Sequence, residues 1–293
     1  MTSFLFEQYG YYPNLIDNNM FFIDDWCFKL IEIDFDIDYI NGIDEYLSLL
    51  KNMFPGKGAF IIKNRANEKI TFYDGKKYVL ISIKKGKVNL SELNRFHFLL
   101  KEDKTMDLNE LVAAWEQKMS FIENQAMSSI RMDSVYYDNN LEISMYCLGL
   151  FQNAIQYLSD IVLDYGEKIN DLTINHKRLY SLDAIEFFNP FNFVVDHPCR
   201  DLIELYKNNV IDFNEFEYVM EFYQMNSQTA SLMLARLLYP SYFVDELEKN
   251  YYSDDKNLKL EFNIEKEILK IKKVYFYLKN KYTLRPIVWL ESN

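Results

Sequence analysis

The sequence predicts an α+β fold of two lobes, a small β-rich lobe followed by a larger helical one. Three observations carry this. Strand-type alternation runs through residues 20–35 and resumes over 59–64 and 69–85. From about residue 105 the apolar period changes to 3.6, and short β-rich pieces with turn residues between them interrupt the helical pattern over 172–196.

Taken in order, MFFIDDWCFKLIEIDF (20–35) reads as two strands, with Trp26, Phe28 and Leu30 on one face. Asp44 to Met53 spaces Tyr46, Leu47, Leu50 and Met53 as one face of a helix, which FPGKG then breaks. AFIIKN follows, then KITFYDGKKYVLISIKK, where Asp74-Gly75 between two alternating runs predicts a hairpin turn. Beyond the period change, segments 108–127, 142–163, 214–223, 228–240 and 263–282 each place apolar residues at i, i+3 and i+4 and read as helices. The boundary is set by that change alone, between Leu100 and Asp107, giving lobes of residues 1–104 and 105–293.

Composition narrows the function. Among 293 residues, 49% are hydrophobic and 17% aromatic, enough to fill a core and too apolar for a disordered chain. The net charge of −12 repels phosphate backbones and anionic lipid, so neither nucleic acid nor a membrane surface is the expected partner. Cys27, Cys147 and Cys199 are scattered and odd in number, which suggests neither a disulfide framework nor a zinc site and fits a reducing compartment. The first residues carry no basic leader pattern, and no apolar run has the length of a transmembrane segment, so a cytoplasmic protein is expected.

A small β-lobe, a large α-lobe and an irregular β-hairpin between helices is the element order of kinase-like phosphotransferases. Their catalytic loop reads H-x-D-x-x-x-x-N and is followed by a strand ending on a metal-binding Asp. Here His176 is followed two positions later by Arg178 and seven positions later by Asp183, and the run Phe193-Val194-Val195 ends on Asp196. The spacing makes Asp183 and Asp196 the candidate metal ligands, with Asp196 expected to face a nucleotide cleft. His176 reads more readily as a buried histidine that bonds backbone and braces the loop. Arg178, however, stands where a general base belongs, and a guanidinium has no acceptor atom and stays charged at any biological pH.

The nucleotide half is thin. The chain has 8 glycines, and the phosphate-covering turn between the first two strands offers only Gly10 in QYGYYPN or none in IDNNMF. Lys29 and Glu45 are the candidate cofactor-binding pair, with a solvent-facing strand lysine as the alternative. Arg200 and Asp201 fall in the first turn of a helix, where the dipole favours an acid. The polar residues Gln152, Asn153 and Gln156 on an apolar helix are expected to find partners in the loop. The lysines of segment 263–282 read as a solvated face that could dock an acidic partner.

The segments YCLGLFQNAIQYLSD (146–160), LTINHKRLYSLDAIEFFNPFNFVVDHPCRDLIELYKN (172–208) and LMLARLLYPSYFVDELEKNYY (232–252) resemble the spore coat kinase-like proteins of the CotS and YutH type. That group is similar to aminoglycoside and choline phosphotransferases. NPFNFVVDHPCRDLIEL is closer to the YutH-like branch, and Arg178 departs from the active pattern. The resemblance implies a kinase-like protein made in the cytoplasm and deposited on the spore coat, and leaves activity open; Arg178 makes a catalytically inactive, degenerate kinase the expectation for this chain. Its partners would be coat or other proteins rather than a small-molecule substrate. No cofactor is expected, or ATP and Mg if nucleotide binding survives. The alternative is a divergent ATP- and Mg-dependent small-molecule phosphotransferase.

Overall fold

A computed structural model describes residues 2–292. The chain divides into two compact units. One comprises the chain up to Phe96 together with His176–Val194, the other His97–Asn175 and the chain from Val195 onward.

The first unit contains α1 (Thr2–Tyr9), β1 (Met20–Ile23), β2 (Trp26–Ile33), α2 (Ile37–Met53), β3 (Ala59–Ile62), β4 (Thr71–Tyr73) and β5 (Lys76–Lys84). The strands form an antiparallel sheet in the order β1-β2-β5-β3, with β4 also paired to β5. β5 is central, and its Val79, Leu80, Ile81 and Ile83 are wholly buried, as a strand covered on both faces requires. The Trp26/Phe28/Leu30 face packs with Phe21, Tyr78 and Leu80 and with Phe4 and Leu5 of α1. Each such large side chain contributes about 1.5–3 kcal/mol when buried. At eight residues, α1 is too short for the helical period to show in the sequence.

The helix expected from Asp44 begins already at Ile37, because the Asp36 side chain accepts a hydrogen bond from the Tyr39 amide at 3.0 Å. Ile40, Ile43, Leu47 and Leu50 form its buried stripe. The β4–β5 hairpin turns on Asp74-Gly75, both with positive φ (50° and 74°), as a two-residue turn between directly paired Tyr73 and Lys76 demands.

α3 (Leu90–Leu99) leads from the first unit into the second, where β6 (Lys101–Glu102), β7 (Met106–Asp107), α4 (Leu108–Asn124), α5 (Tyr137–Tyr165), β8 (Lys168–Ile169) and β9 (Leu172–His176) follow. Then come α6 (Ala184–Phe187), β10 (Phe193–Asp196), α7 (Cys199–Lys207), α8 (Phe213–Met220), α9 (Ser227–Leu238), α10 (Ser241–Tyr252), α11 (Ile264–Lys281) and α12 (Val288–Glu291). α9 is buried at every position from Thr229 to Leu238 and packs along α5, so it is the core helix of this unit. β6 pairs antiparallel with β9, with β10 on the other side of β9.

The β-rich stretch 172–196 holds two strands as expected, with the short helix α6 between them. The period change lies at 100–107, whereas the first unit ends at Phe96 and takes in 176–194 as well. Backbone bonds explain the return. Ala184 N–H donates to Gly86 O at 2.9 Å, Val88 N–H donates to Leu182 O at 2.8 Å, and Lys87 and Asp183 form a bridge.

Candidate functional site

In the first unit the degenerate loop is a braced segment. His176 is fully buried, with its Nε2 2.8 Å from the carbonyl oxygen of Phe187, to which the ring N–H donates. The imidazole lies against the rings of Phe96, Phe187 and Phe193. Asn192 clamps Arg178 from both sides, accepting from its amide at 3.3 Å and donating to its carbonyl at 2.5 Å. The Arg178 guanidinium donates to the Lys177 carbonyl at 3.0 Å. Asp183 is the N-cap residue of α6 and its side chain is exposed, without a capping bond.

Lys29 and Glu45 are not joined by a hydrogen bond or ion pair among the described residues. Glu45 is exposed on the face of α2 opposite the Ile40/Ile43/Leu47/Leu50 stripe, so the helix directs it to solvent. Lys29 sits half-buried in β2, paired in register with Met20 and Ile81.

The turn between the first two strands lies neither at Gly10 nor in IDNNMF. β1 and β2 pair from Met20↔Lys29 to Ile23↔Trp26, so the turn is Asp24-Asp25, two residues without a glycine. Asp24 takes positive φ (49°) in place of glycine. Lys85 holds the turn, its amide donating to Asp25 O at 2.7 Å and its Nζ to Asp24 O at 3.1 Å. Two carboxylates on a tight turn oppose the approach of phosphate.

Asp196 belongs to the second unit, at the end of β10, and is 3% exposed. One terminal nitrogen of Arg236 on α9 lies 2.5 Å from its Oδ1 and 2.6 Å from its Oδ2. Arg200, in the first turn of α7, donates to Oδ2 at 2.9 Å, and the His197 amide donates to Oδ1 at 2.7 Å. Burial is the largest single influence on this carboxyl and raises its pKa, but the two guanidiniums and the amide together hold it below the usual carboxylate range. A magnesium ion needs anionic oxygens as ligands, and here both oxygens already face cations. Asp183 and Asp196, the two expected metal ligands, fall in different units.

Around this pair lies a buried polar network that the sequence reading did not assemble. His97 Nε2 meets Asp201 Oδ2 at 3.1 Å, and its Nδ1 meets the Tyr223 hydroxyl at 2.7 Å. Asp201 is wholly buried, so its place is set by His97 as well as by the helix dipole. His197 Nδ1 accepts from the Cys199 amide at 3.2 Å, and burial first, then the Arg236 and His97 charges, push its pKa down to about 4 against the opposing pull of Asp196. The signal that could have revealed the network is Arg236, a lone charge inside the apolar run ASLMLARLL. Asn153 and Gln156 of α5 find partners on the helix itself and at Trp289 rather than in the loop. Asn153 donates to Gly149 O at 2.7 Å, Gln156 donates to Asp160 at 3.2 Å, and Trp289 Nε1 donates to Asn153 Oδ1 at 3.4 Å.

A small antiparallel-sheet unit and a larger helical unit define the fold of the kinase-like phosphotransferases, and solved structures agree. An aminoglycoside phosphotransferase from Alicyclobacillus acidocaldarius is similar with a TM-score of 0.50 and 10% identity, covering 91% of this chain and 88% of that one. A spectinomycin phosphotransferase solved with ADP and spectinomycin is similar with a TM-score of 0.55 and 12% identity, covering 95% and 97%.

Within that class the chain belongs to the family described as "Spore coat putative kinase YutH", which matches residues 3–279. The endospore coat-associated protein YutH of Bacillus subtilis (strain 168) is 29% identical over 162 residues, 50% of this chain and 45% of that protein. The chain therefore aligns with less than half the length of this curated relative.

Proposed function

We propose that this protein is a kinase-like component of the spore coat that works by protein association and does not transfer phosphate. Its family and its coat-associated relative support the setting. The observation that carries the loss of catalysis is the Asp196 carboxylate. It is buried between Arg236 and Arg200, so a divalent cation would have to displace two guanidiniums from a low-dielectric site. Two further features act in the same direction. Arg178 has no atom to accept the acceptor hydroxyl's proton, and Asp24-Asp25 replaces a glycine-rich phosphate cover.

In this reading Asp183 is a helix-capping position, Lys29 a sheet lysine, and neither ATP nor Mg is a cofactor. No helix among the described residues is long and apolar enough to cross a membrane. Synthesis in the cytoplasm followed by deposition on the coat fits that property and the family. The experiment is thermal denaturation of the full chain with and without Mg-ATP, paired with an assay for ADP release. The expected result is an unchanged midpoint and no ADP above the blank. A saturable rise accompanied by turnover would establish instead a divergent small-molecule phosphotransferase.

A further inference from the structure

We propose that the helical unit holds a separate binding site, a cavity at the C-terminal end of α7 that takes a small hydroxylated oxyanion, either a sugar acid or a polyol phosphate. The cavity measures about 320 Å³, at the lower end of the range for small-molecule pockets, and Lys207, Lys266, Lys270, Glu267, Tyr239 and Phe262 are among its lining residues. α7 is nine residues long, so the cavity lies about 13 Å along that helix from the end that carries Arg200.

The charges are arranged for an anion. Lys207 is committed to the protein, donating to Tyr239 O at 2.5 Å and Ser241 Oγ at 2.8 Å, with Glu204 3.7 Å away. Lys270 donates to Lys207 O at 2.8 Å and faces Glu267 only loosely, at 3.8 Å. Lys266 lies one turn before Lys270 on α11 and forms no ion pair among the described residues. Glu261, also on the wall, is paired outward with Lys259 at 2.5 Å. Lys266 and Lys270 thus present ammonium groups at i, i+4 spacing beside a single loosely neutralised carboxylate, on a chain whose net charge is −12.

Burial raises the Glu267 pKa against the pull of its lysines, and lowers that of Lys270 against the pull of Glu267. An oxyanion at Lys270 would oppose the shift of that ammonium and would favour the protonated, hydrogen-bond-donating form of Glu267. Glu267 supplies carboxyl oxygens for hydroxyl groups, and Phe262 supplies an apolar wall for the carbon chain.

The test is titration calorimetry of the full chain with glycerol phosphate, gluconate and neutral glycerol. At least one anion is expected to bind and glycerol is not, and the anion that binds identifies a phosphate or a carboxylate as the preferred group. Lys270→Met should weaken binding by about tenfold or more. Lys266→Gln, at the exposed rim, keeps the test decisive if the first variant fails to fold, and should weaken binding also. Glu116→Gln, in the surface groove between α4 and α5, should leave affinity unchanged. Absence of binding by both anions at about 1 mM, or binding that survives both lysine substitutions, would overturn the proposal.

Discussion

Arg236 and Asp196 are joined inside the helical unit, a guanidinium nitrogen of the core helix α9 lying 2.5 and 2.6 Å from the two oxygens of the carboxylate that ends β10. Arg236 is 7% and Asp196 3% exposed, so the pair replaces water with itself. The carboxylate that a phosphotransferase would give to a metal here ties a strand end to a helix.

Arg236→Met should therefore destabilise the protein strongly. It leaves a buried carboxylate with Arg200 as its remaining guanidinium partner, and breaking a buried pair from one side costs about 3–5 kcal/mol. Arg200→Met should cost less, because the Arg200 side chain is 18% exposed and Arg236 stays in place. Urea denaturation of the two variants checks the order. Equal losses would show that the α9 arginine is not the principal counter-ion.

The contribution of His197 to stability should fall between neutral pH and about pH 5, while Glu267, whose pKa burial raises, acts in the opposite direction. Its pKa drops from 6.5 to about 4 on folding, so between these values the unfolded chain binds a proton that the folded one refuses. The loss begins below pH 6.5, levels off below about 4, and amounts to about 2 kcal/mol at pH 5. Asp196, with its lowered pKa, contributes stability above the unfolded carboxylate value and loses it only as pH falls through its folded value, below that window. Asp196, Arg236 and His97 are the charged or titratable neighbours that act on this imidazole. Urea midpoints at pH 7 and pH 5 for wild type and His197→Gln measure the effect. The variant should show the flatter dependence, and parallel slopes would refute the assignment.

Restoring an acid at the loop should not restore chemistry. Arg178→Asp supplies a proton acceptor, but Asp196 remains between its arginines and the first hairpin still turns on Asp24-Asp25. A general base contributes about 10²–10⁴ in rate only where the other parts are already in position. ADP release by the variant should stay at the blank. Turnover in the variant but not in wild type would mean that Arg178 alone blocks catalysis.

The sequence revealed most of the fold because its two periods are strong and change once. The sheet, the Asp74-Gly75 turn and the long helices follow from patterning, and β10 ends on Asp196 as expected. What stayed hidden depends on long-range pairing. Asp196 and Arg236 are forty residues apart, and a strand-end acid looks the same in sequence whether it meets a metal or a guanidinium. Lys29 and Glu45 matched a kinase pair by order alone, yet the phase of α2 turns Glu45 to solvent once Ile40 and Ile43 define its buried face. The β1–β2 turn at Asp24-Asp25 carries no glycine to mark it, and α1 and the loop after it, through Gly10, lie ahead of β1.

A last consequence concerns the segment after α10. Residues 256–263 run without helix or strand, yet Leu258 and Leu260 are buried at 6% and 2% exposure, and buried backbone must have hydrogen-bond partners. Asn140, at the start of α5 and 1% exposed, supplies them. Its Nδ2 donates to Leu258 O at 2.8 Å, and its Oδ1 accepts from the Leu260 amide at 3.0 Å, so one amide side chain replaces a rung of a sheet. Neighbouring Asn139 donates to Leu260 O at 3.2 Å. Asn140→Leu keeps the bulk and removes both bonds, leaving a buried carbonyl and a buried amide unpaired at about 1–3 kcal/mol each. Asn140→Asp retains the acceptor for Leu260 but turns the donor to Leu258 into a second acceptor, so it should lose one bond and gain a repulsion. Limited proteolysis with hydrogen exchange over 253–263 distinguishes these cases. Both variants should open this segment faster than wild type, with the Leu260 amide better protected in Asn140→Asp than in Asn140→Leu. Equal protection of that amide in all three proteins would show that burial of Leu258 and Leu260 alone holds the segment down.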